Sequence, residues 1–417
     1  MSAPTAAKPE VKPLTYEVLK QAVEGGAAAF RCRRRFQPAG GPGDKVFPPT
    51  FAGAVYAIEK RRLPDHEEPV PCVLLDSVQS QANRMEQALQ DAVDAGQIEL
   101  PIIEVDFSGA AARGNWLENP GRITSLQVPH RLADAILRDS EYKEANGELV
   151  PFRKSSVGRP INDASPRNAT AIYQLCPTAL IFGMWDSTGP KGGLGAKFER
   201  AMVSEIVGVG AVWGDLSMGV RRDPLEISSQ VKVVKLSDAG YRIAEAEEKN
   251  AVPPSKVNHS SVPFPEQRDK KSDDNRYAGV TIEYAEQVTT LSLAALRRLA
   301  FPGATAEARA AARTALAAAG ILAATLSAEN GGALRSRCLL WPDGPMVWDL
   351  LEAPGSEPRN FCADSAQALA LARDAAAHAE KAGLGWRKDK ISLAPSENLQ
   401  SLAQRSQQIH ASSRTGD

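Results

Sequence analysis

The period of hydrophobicity changes sharply at AFRCRRRFQP, residues 29 to 38. Ahead of it, Leu14 to Glu24 follows helical spacing. Within it, Phe30, Cys32 and Phe36 alternate with Arg31, Arg33 and Arg35, the two-residue period of a strand with unlike surroundings on its two sides. Same-side residues repeat at about 6.6 Å. One face therefore presents a ladder of three guanidinium groups, and the other is apolar except for Arg34. A strand of this kind requires a sheet with one face packed on a core.

The rest of the chain supplies both strands and helices. VPCVLLD, Val70 to Asp76, reads as a buried strand running straight into a helix, with Asp76 as its cap, Gln79 three residues on, and Val78, Ala82, Met85, Leu89 and Val93 on one side. From Gly109 to Pro166 the pattern breaks into Gly, Pro, Asn and scattered Arg, with one helical piece near Arg131 to Asp139, as in an insertion on a core fold. Asn168 to Cys176 reads as helix and Thr178 to Trp185 as a buried strand. Strands resume around Ala201 to Val209, Gln230 to Leu236 and Gly279 to Val288. Glu245 to Asn275 is charged and Pro-containing, a mobile surface loop. Ala-rich helices follow at Ser292 to Ala300, Thr305 to Leu326 and Asp364 to Ala382, with a strand at Leu334 to Leu340 and a frayed end from about Gln400. Segregated runs of strand and helix predict an α+β fold. The expected organisation is a flexible tail at 1–13, a single domain over 14–399 with insertions at about 109–166 and 245–275, and a flexible tail at 400–417.

With 417 residues, 43% hydrophobic and 24% charged, the chain is an ordinary globular mixture. Its five cysteines, Cys32, Cys72, Cys176, Cys338 and Cys362, are scattered, with no C-x-x-C spacing for zinc or a redox pair, and read as buried reduced thiols. No apolar run approaches the roughly 18 residues that cross a bilayer, and the start lacks the pattern of a signal peptide; the cytoplasm is the expected location, with no membrane partner. A net charge of −1 gives no overall attraction for a polyanion, so any such attraction must be local.

Four local patterns carry it. In WDSTGPKGGLGAKFER, residues 185 to 200, four glycines let backbone N–H groups turn toward one concavity while Lys191, Lys197 and Arg200 supply positive charge, which suits a phosphate. Lys197 follows Ala196 and precedes Phe198, so this is not a Walker A loop, and a plain hairpin tip has the same composition. The ladder of Arg31, Arg33 and Arg35 suits successive phosphates of a strand laid along a sheet; it equally suits an edge strand defended by charge. The helix after Asp76 opens with Gln79, Asn83 and Arg84, groups able to bind backbone or base edges, or simply to face water. In the inserted region, His130, Arg131, Arg138, Arg153 and Lys154 lie among Trp116 and Phe152, a mixture suited to single strands, although acidic residues share the stretch. The five histidines never pair at metal-ligand spacing, and H-x-E, H-E-x-x-H and G-x-S-x-G are absent. No catalytic residue, metal or cofactor is expected.

At LLDSVQSQANRMEQAL (74 to 89), PHRLADAILRDS (129 to 140), ALIFGMWDSTGPKGGLGAKFERAMVSEIVG (179 to 208) and ALRSRCLLWP (333 to 342), the sequence closely resembles the RAMP-superfamily backbone subunit, the Cas-seven type, of the type I-U (I-G) CRISPR Cascade complex. The resemblance implies a modified RRM, or ferredoxin-like, palm with inserted finger and thumb elements, here with an Ala-rich helical C-terminal part. It implies a non-catalytic subunit, several copies of which polymerise along a guide CRISPR RNA and present its bases to target DNA, beside a large subunit and a guide-end-capping or processing subunit. Arg31, Arg33, Arg35, Gln79, Asn83, Arg84, His130, Arg131, Lys191, Lys197 and Arg200 are then the expected RNA contacts. The competing expectation is a metal-dependent ribonuclease cutting target RNA, with Asp163 or Asp186 as the loop carboxylate.

Overall fold

The computed structural model of the chain describes residues 11–52, 55–64, 66–109, 116–189, 192, 195–212, 223–236, 240–245, 248–259 and 279–416. The arginine-bearing stretch is the strand Ala29–Pro38, in the middle of a ten-stranded sheet. On one side it pairs antiparallel with Tyr284–Ser292, with Phe30 opposite Leu291 and Arg33 opposite Val288. Beyond that strand lie Met202–Val209, Val70–Asp76 and Ile58–Arg61. On its other side it pairs with Cys338–Pro342 near one end and Trp348–Leu351 near the other, and the sheet continues through Arg359–Cys362 to Lys12–Pro13.

Four of these strands are interleaved. Ala29–Pro38 and Met202–Val209 flank Tyr284–Ser292, and the helix Val78–Asp94 lies between them in sequence. Tyr284–Ser292 and Cys338–Pro342 flank Ala29–Pro38, with the helix Ala306–Glu329 between them in sequence. The molecule is an α+β fold, with helices gathered on one face of a largely antiparallel sheet.

Alternation decides which face that is. Phe30 and Cys32 share a core with Met202, Leu291, Trp348 and Leu350 and with the buried sides of the helices Tyr16–Glu24, Val78–Asp94, Ala306–Glu329 and Ser365–Lys381. The helix Ala306–Glu329 is apolar on nearly every side because it lies at the centre of this layer, where alanines let neighbouring helices approach closely. Among the described residues it is one helix long and apolar enough to cross a membrane by length and composition, and 78% of its apolar window is buried inside the protein. Phe36 joins a second cluster with Val46, Tyr56, Leu75, Ile206, Ile282 and Leu340.

The inserted region builds a second, five-stranded sheet. Leu149–Pro151, Ser140–Lys143, Ile391–Pro395, Ile103–Asp106 and Arg122–Thr124 follow one another in that order. Ile391–Pro395 runs parallel to Ile103–Asp106, just ahead of the insertion, and antiparallel to Ser140–Lys143 within it, so the insertion is joined to the chain before it by a strand from near the C-terminus. That strand carries no turn signal or long apolar run, and its role depends on a partner almost three hundred positions away.

Several local expectations are corrected. Thr178 to Trp185 is not one strand: Thr178–Ile181 is a helical turn and only Met184–Trp185 is extended. The 78–94 helix is capped by Ser77, whose side chain accepts the Ser80 N–H at 3.2 Å; Asp76 instead ends the strand. The strand expected at 334–340 is a hairpin of Gly332–Arg335 and Cys338–Pro342. The strand expected over 279–288 is shifted to Tyr284–Ser292. The C-terminal stretch forms a helix, Glu397–Gly416, in place of a frayed end. At the other end, Lys12 and Pro13 of the expected tail already pair with Phe361 and Cys362, while residues 1–10 lie outside the described residues, as does most of the expected loop at 245–275.

Candidate nucleic-acid interface

The Gly- and Lys-rich segment is a β-hairpin. Met184 pairs with Phe198 and Trp185 with Lys197, so alternation turns Met184 and Phe198 into the core and Trp185 and Lys197 outward. Trp185 is 55% exposed, and the Lys197 Nζ lies 5.4 Å from the centre of its ring. A cation over an indole face leaves the far face free to stack on another planar group. Arg200 follows, also exposed. Its aliphatic stem crosses Gly183, where a Cβ would come within 2.9 Å of the Arg200 Cγ and where φ is +84°; only glycine meets both demands. The Gly192 N–H bonds to the Gly189 carbonyl at 2.8 Å and the Gly195 N–H to the Gly192 carbonyl at 2.9 Å. Lys191 lies outside the described residues.

Beneath the hairpin, arginines of the inserted region point inward. Arg131 donates to Glu86 at 2.6 and 2.7 Å and to the carbonyl of Gly183 at 2.9 Å. It was expected to contact a ligand and is instead buried, because Glu86 on the 78–94 helix is itself buried and needs a partner. Burial pushes the Glu86 carboxyl above its usual range, with Arg131 and a hydrogen bond involving Thr178 opposing the shift. Arg153 donates to Asp186, which is 4% exposed. Burial lowers the affinity of the Arg153 guanidinium for its proton, opposed by Asp186. Asp186, one of the two carboxylates considered for RNA cleavage, is thus closed off by an arginine; Asp163 is exposed. Arg138 donates to the Thr188 hydroxyl at 2.8 Å. His130 is exposed at the surface beside Arg131, its backbone N–H donating to the Asp134 carboxylate at 3.1 Å.

The arginine ladder lies on the sheet face away from the main helical layer, as its alternation requires, but it is largely neutralised. Arg31 pairs with Asp349 at 2.8 Å and Arg33 with Glu286 at 2.6 Å, both on neighbouring strands. Arg35 lies 4.3 Å over the Tyr284 ring and has no carboxylate partner among the described residues. Arg34, on the opposite side, rests 4.9 Å over Phe36. The hairpin leads into Met202–Val209 at the end of the sheet where Val203, Thr290 and Arg31 lie in one row.

The amide-bearing helix is on the other face. Gln81 accepts from Ser204 at 2.9 Å and Gln287 at 2.7 Å, residues aligned with Cys32 and Arg34. Gln79 and Asn83 are exposed one turn apart on that helix. Arg84 is turned inward, donating to Asp76 at 3.0 Å and to the Leu334 carbonyl at 2.5 Å. Asp76 is fully buried and also accepts from Ser80, Gln81 and Arg335. The structure therefore sets Lys197 and Arg200 on the hairpin and His130 next to Arg131, which holds the hairpin's root, leaves the ladder on the sheet face away from the main helical layer, places Gln79 and Asn83 on the helical side, and gives Arg84 and Arg131 internal partners. Trp185 was within the expected motif without a role. Its signal was present: Trp185 and Lys197 bracket the glycines as opposite residues of a hairpin do.

Together these features define an α+β protein with a single helical layer, whose exposed basic and aromatic hairpin stands on an inserted arginine-rich region. Residues 30–212, from the ladder strand through the hairpin to the end of Met202–Val209, match a family model described as CRISPR-associated protein GSU0053. Over that span the chain is similar to a CRISPR-associated protein, consistent with the resemblance of its motifs to a Cascade subunit. No curated protein matches the chain.

Proposed function

We propose that the chain is a non-catalytic, guide-RNA-binding backbone subunit of a cytoplasmic CRISPR surveillance complex. Several copies lie along the guide, in company with a large subunit and a subunit that caps or processes the guide end, and present the guide bases to target DNA. The observation that carries this reading is the outward pair of Trp185 and Lys197 with Arg200 beside it, on a hairpin within the CRISPR-associated match. An indole face and two cations in one small area suit a single strand, where a base stacks and neighbouring phosphates pair. Sequence is left to base pairing, so no base-reading cleft is required. The interleaved strand order supports an RRM-like palm, in which two β-α-β units interlock.

The test is to purify the chain from cells expressing a guide and to measure the length and amount of bound RNA. RNA of one discrete length is expected with the wild-type chain, and strong depletion with the Trp185→Ala, Lys197→Glu double variant. RNA retention equal to wild type in that variant would remove the hairpin from the interface. A nucleic-acid-free wild-type chain would overturn the reading.

A further inference from the structure

Arg131, Arg138 and Arg153 come from three separate short elements of the inserted region: the 3-10 turns Arg131–Ala133 and Phe152–Lys154, and the helix Ala135–Arg138. All three reach the root of the same hairpin. Arg131 holds the Gly183 carbonyl at 2.9 Å, Arg153 holds the Asp186 carboxylate, and Arg138 holds the Thr188 hydroxyl at 2.8 Å. Their targets precede the strand, end it and begin the tip. Two of the three are also braced behind. Arg131 is locked to Glu86 of the core helix, and Arg138 is forked onto Asp139 at 2.7 and 2.9 Å. Arg153 is buried, with its Nε and Nη1 lacking partners among the described residues, so its engagement there rests on Asp186.

A two-stranded hairpin is marginal by itself. Without the three bonds, the direction of the Trp185 and Lys197 side chains would be set by two residue pairs, the Asp186 N–H bond to the Ala196 carbonyl and the packing of Met184 and Phe198, with no side chain among the described residues holding Asp186 or Thr188. We propose that Arg131, Arg138 and Arg153 are positioning residues, which aim the hairpin at the RNA without contacting it, so that the inserted region acts as the support of the interface and not as its surface. This rests on the RNA-binding reading of Trp185 and Lys197.

Arg138 and Thr188 provide the cleanest test, because Arg138 is 34% exposed and Thr188 is exposed, so neither substitution opens a core cavity. Binding of a fluorescein-labelled single-stranded RNA to the full-length chain would be followed by anisotropy at several salt concentrations, for Arg138→Ala, Thr188→Ala, the double variant and Lys197→Ala. Loss of one hydrogen bond should weaken binding roughly two- to tenfold. Arg138→Ala and Thr188→Ala should do so equally, with no further loss in the double variant, since they remove two ends of one bond. Their salt dependence should match wild type, whereas removing a phosphate contact flattens the log–log slope by about 0.7 on a single strand. Lys197→Ala should show that flattening. A flattened slope for Arg138→Ala, or full affinity in Thr188→Ala, overturns the positioning role. Unchanged affinity and slope in Lys197→Ala overturns the underlying RNA-binding reading and leaves a distinct signature.

Discussion

Arg131 and Glu86 form a two-bonded ion pair, at 2.6 and 2.7 Å, in a place where the side chains are only 9% and 2% exposed. The pair joins the core helix Val78–Asp94 to the root of the hairpin that carries Trp185, because the same guanidinium also holds the Gly183 carbonyl.

Breaking that pair from one side strands the other charge in the core. Glu86→Ala and Arg131→Ala should each lower unfolding stability by roughly 3–5 kcal/mol. Replacing both partners with apolar residues, Glu86→Leu with Arg131→Met, should cost less than either single change, because desolvation already pushes Glu86 up. Urea denaturation of the three variants measures this.

Asp76 is another buried charge, shared by Arg84, Arg335, Ser80 and Gln81. Its removal leaves Arg84 and Arg335 without their shared carboxylate and loosens the hairpin of Gly332–Arg335 and Cys338–Pro342 from the 78–94 helix, to which Arg84 then ties it through the Leu334 carbonyl. Asp76→Ala should cost about 3 kcal/mol or more. Hydrogen exchange should show faster amide opening in both hairpin strands than in the distant strand Trp348–Leu351.

The pair of Arg33 with Glu286 behaves differently, because the arginine side chain is 55% exposed and keeps its hydration when the pair is broken. Arg33→Ala should change stability by less than about 1 kcal/mol. A larger loss by urea denaturation would show that the ladder holds the sheet together.

The thiols give a pH dependence. Burial pushes Cys32 from 9.0 to about 12, and Cys72, Cys176 and Cys338 are also raised by burial. Cys362 is the most exposed of the five. Alkylation of the native chain at pH 8, read by mass spectrometry, should label Cys362 first and the other four only on unfolding. Since the folded chain keeps a Cys32 proton that the unfolded chain releases, the stability from this site is full below pH 9 and falls as pH rises from 9 toward 12. Urea midpoints at pH 8 and 10.5 should differ less in Cys32→Ala than in wild type.

Much of the local structure was legible because it depends on short-range periods. The strand Ala29–Pro38, the helix Val78–Asp94 and the Ala-rich helices all follow from spacing of apolar side chains, and the orientation of Arg31, Arg33 and Arg35 away from the main helical layer follows from alternation alone. The boundaries missed near Thr178 and Asp76 are places where tertiary partners override local preference. A helical turn there buries Ala179, Leu180 and Ile181, and Asp76 serves two arginines in place of a helix end.

The site was legible as composition and not as geometry. Basic residues in the inserted region read alike in sequence, yet Arg131 and Arg153 are buried struts while Lys197 and Arg200 face outward. Arg31 meets an aspartate 318 positions away, and Glu86 meets an arginine 45 positions away. By itself the sequence determined which elements form and which side of each is apolar, since those are properties of a few consecutive residues. Which charges remain available to a ligand was decided only by tertiary structure: whether a guanidinium is free depends on the carboxylates and carbonyls that the topology carries to it, and a buried carboxylate must be paired wherever its partner lies in the chain.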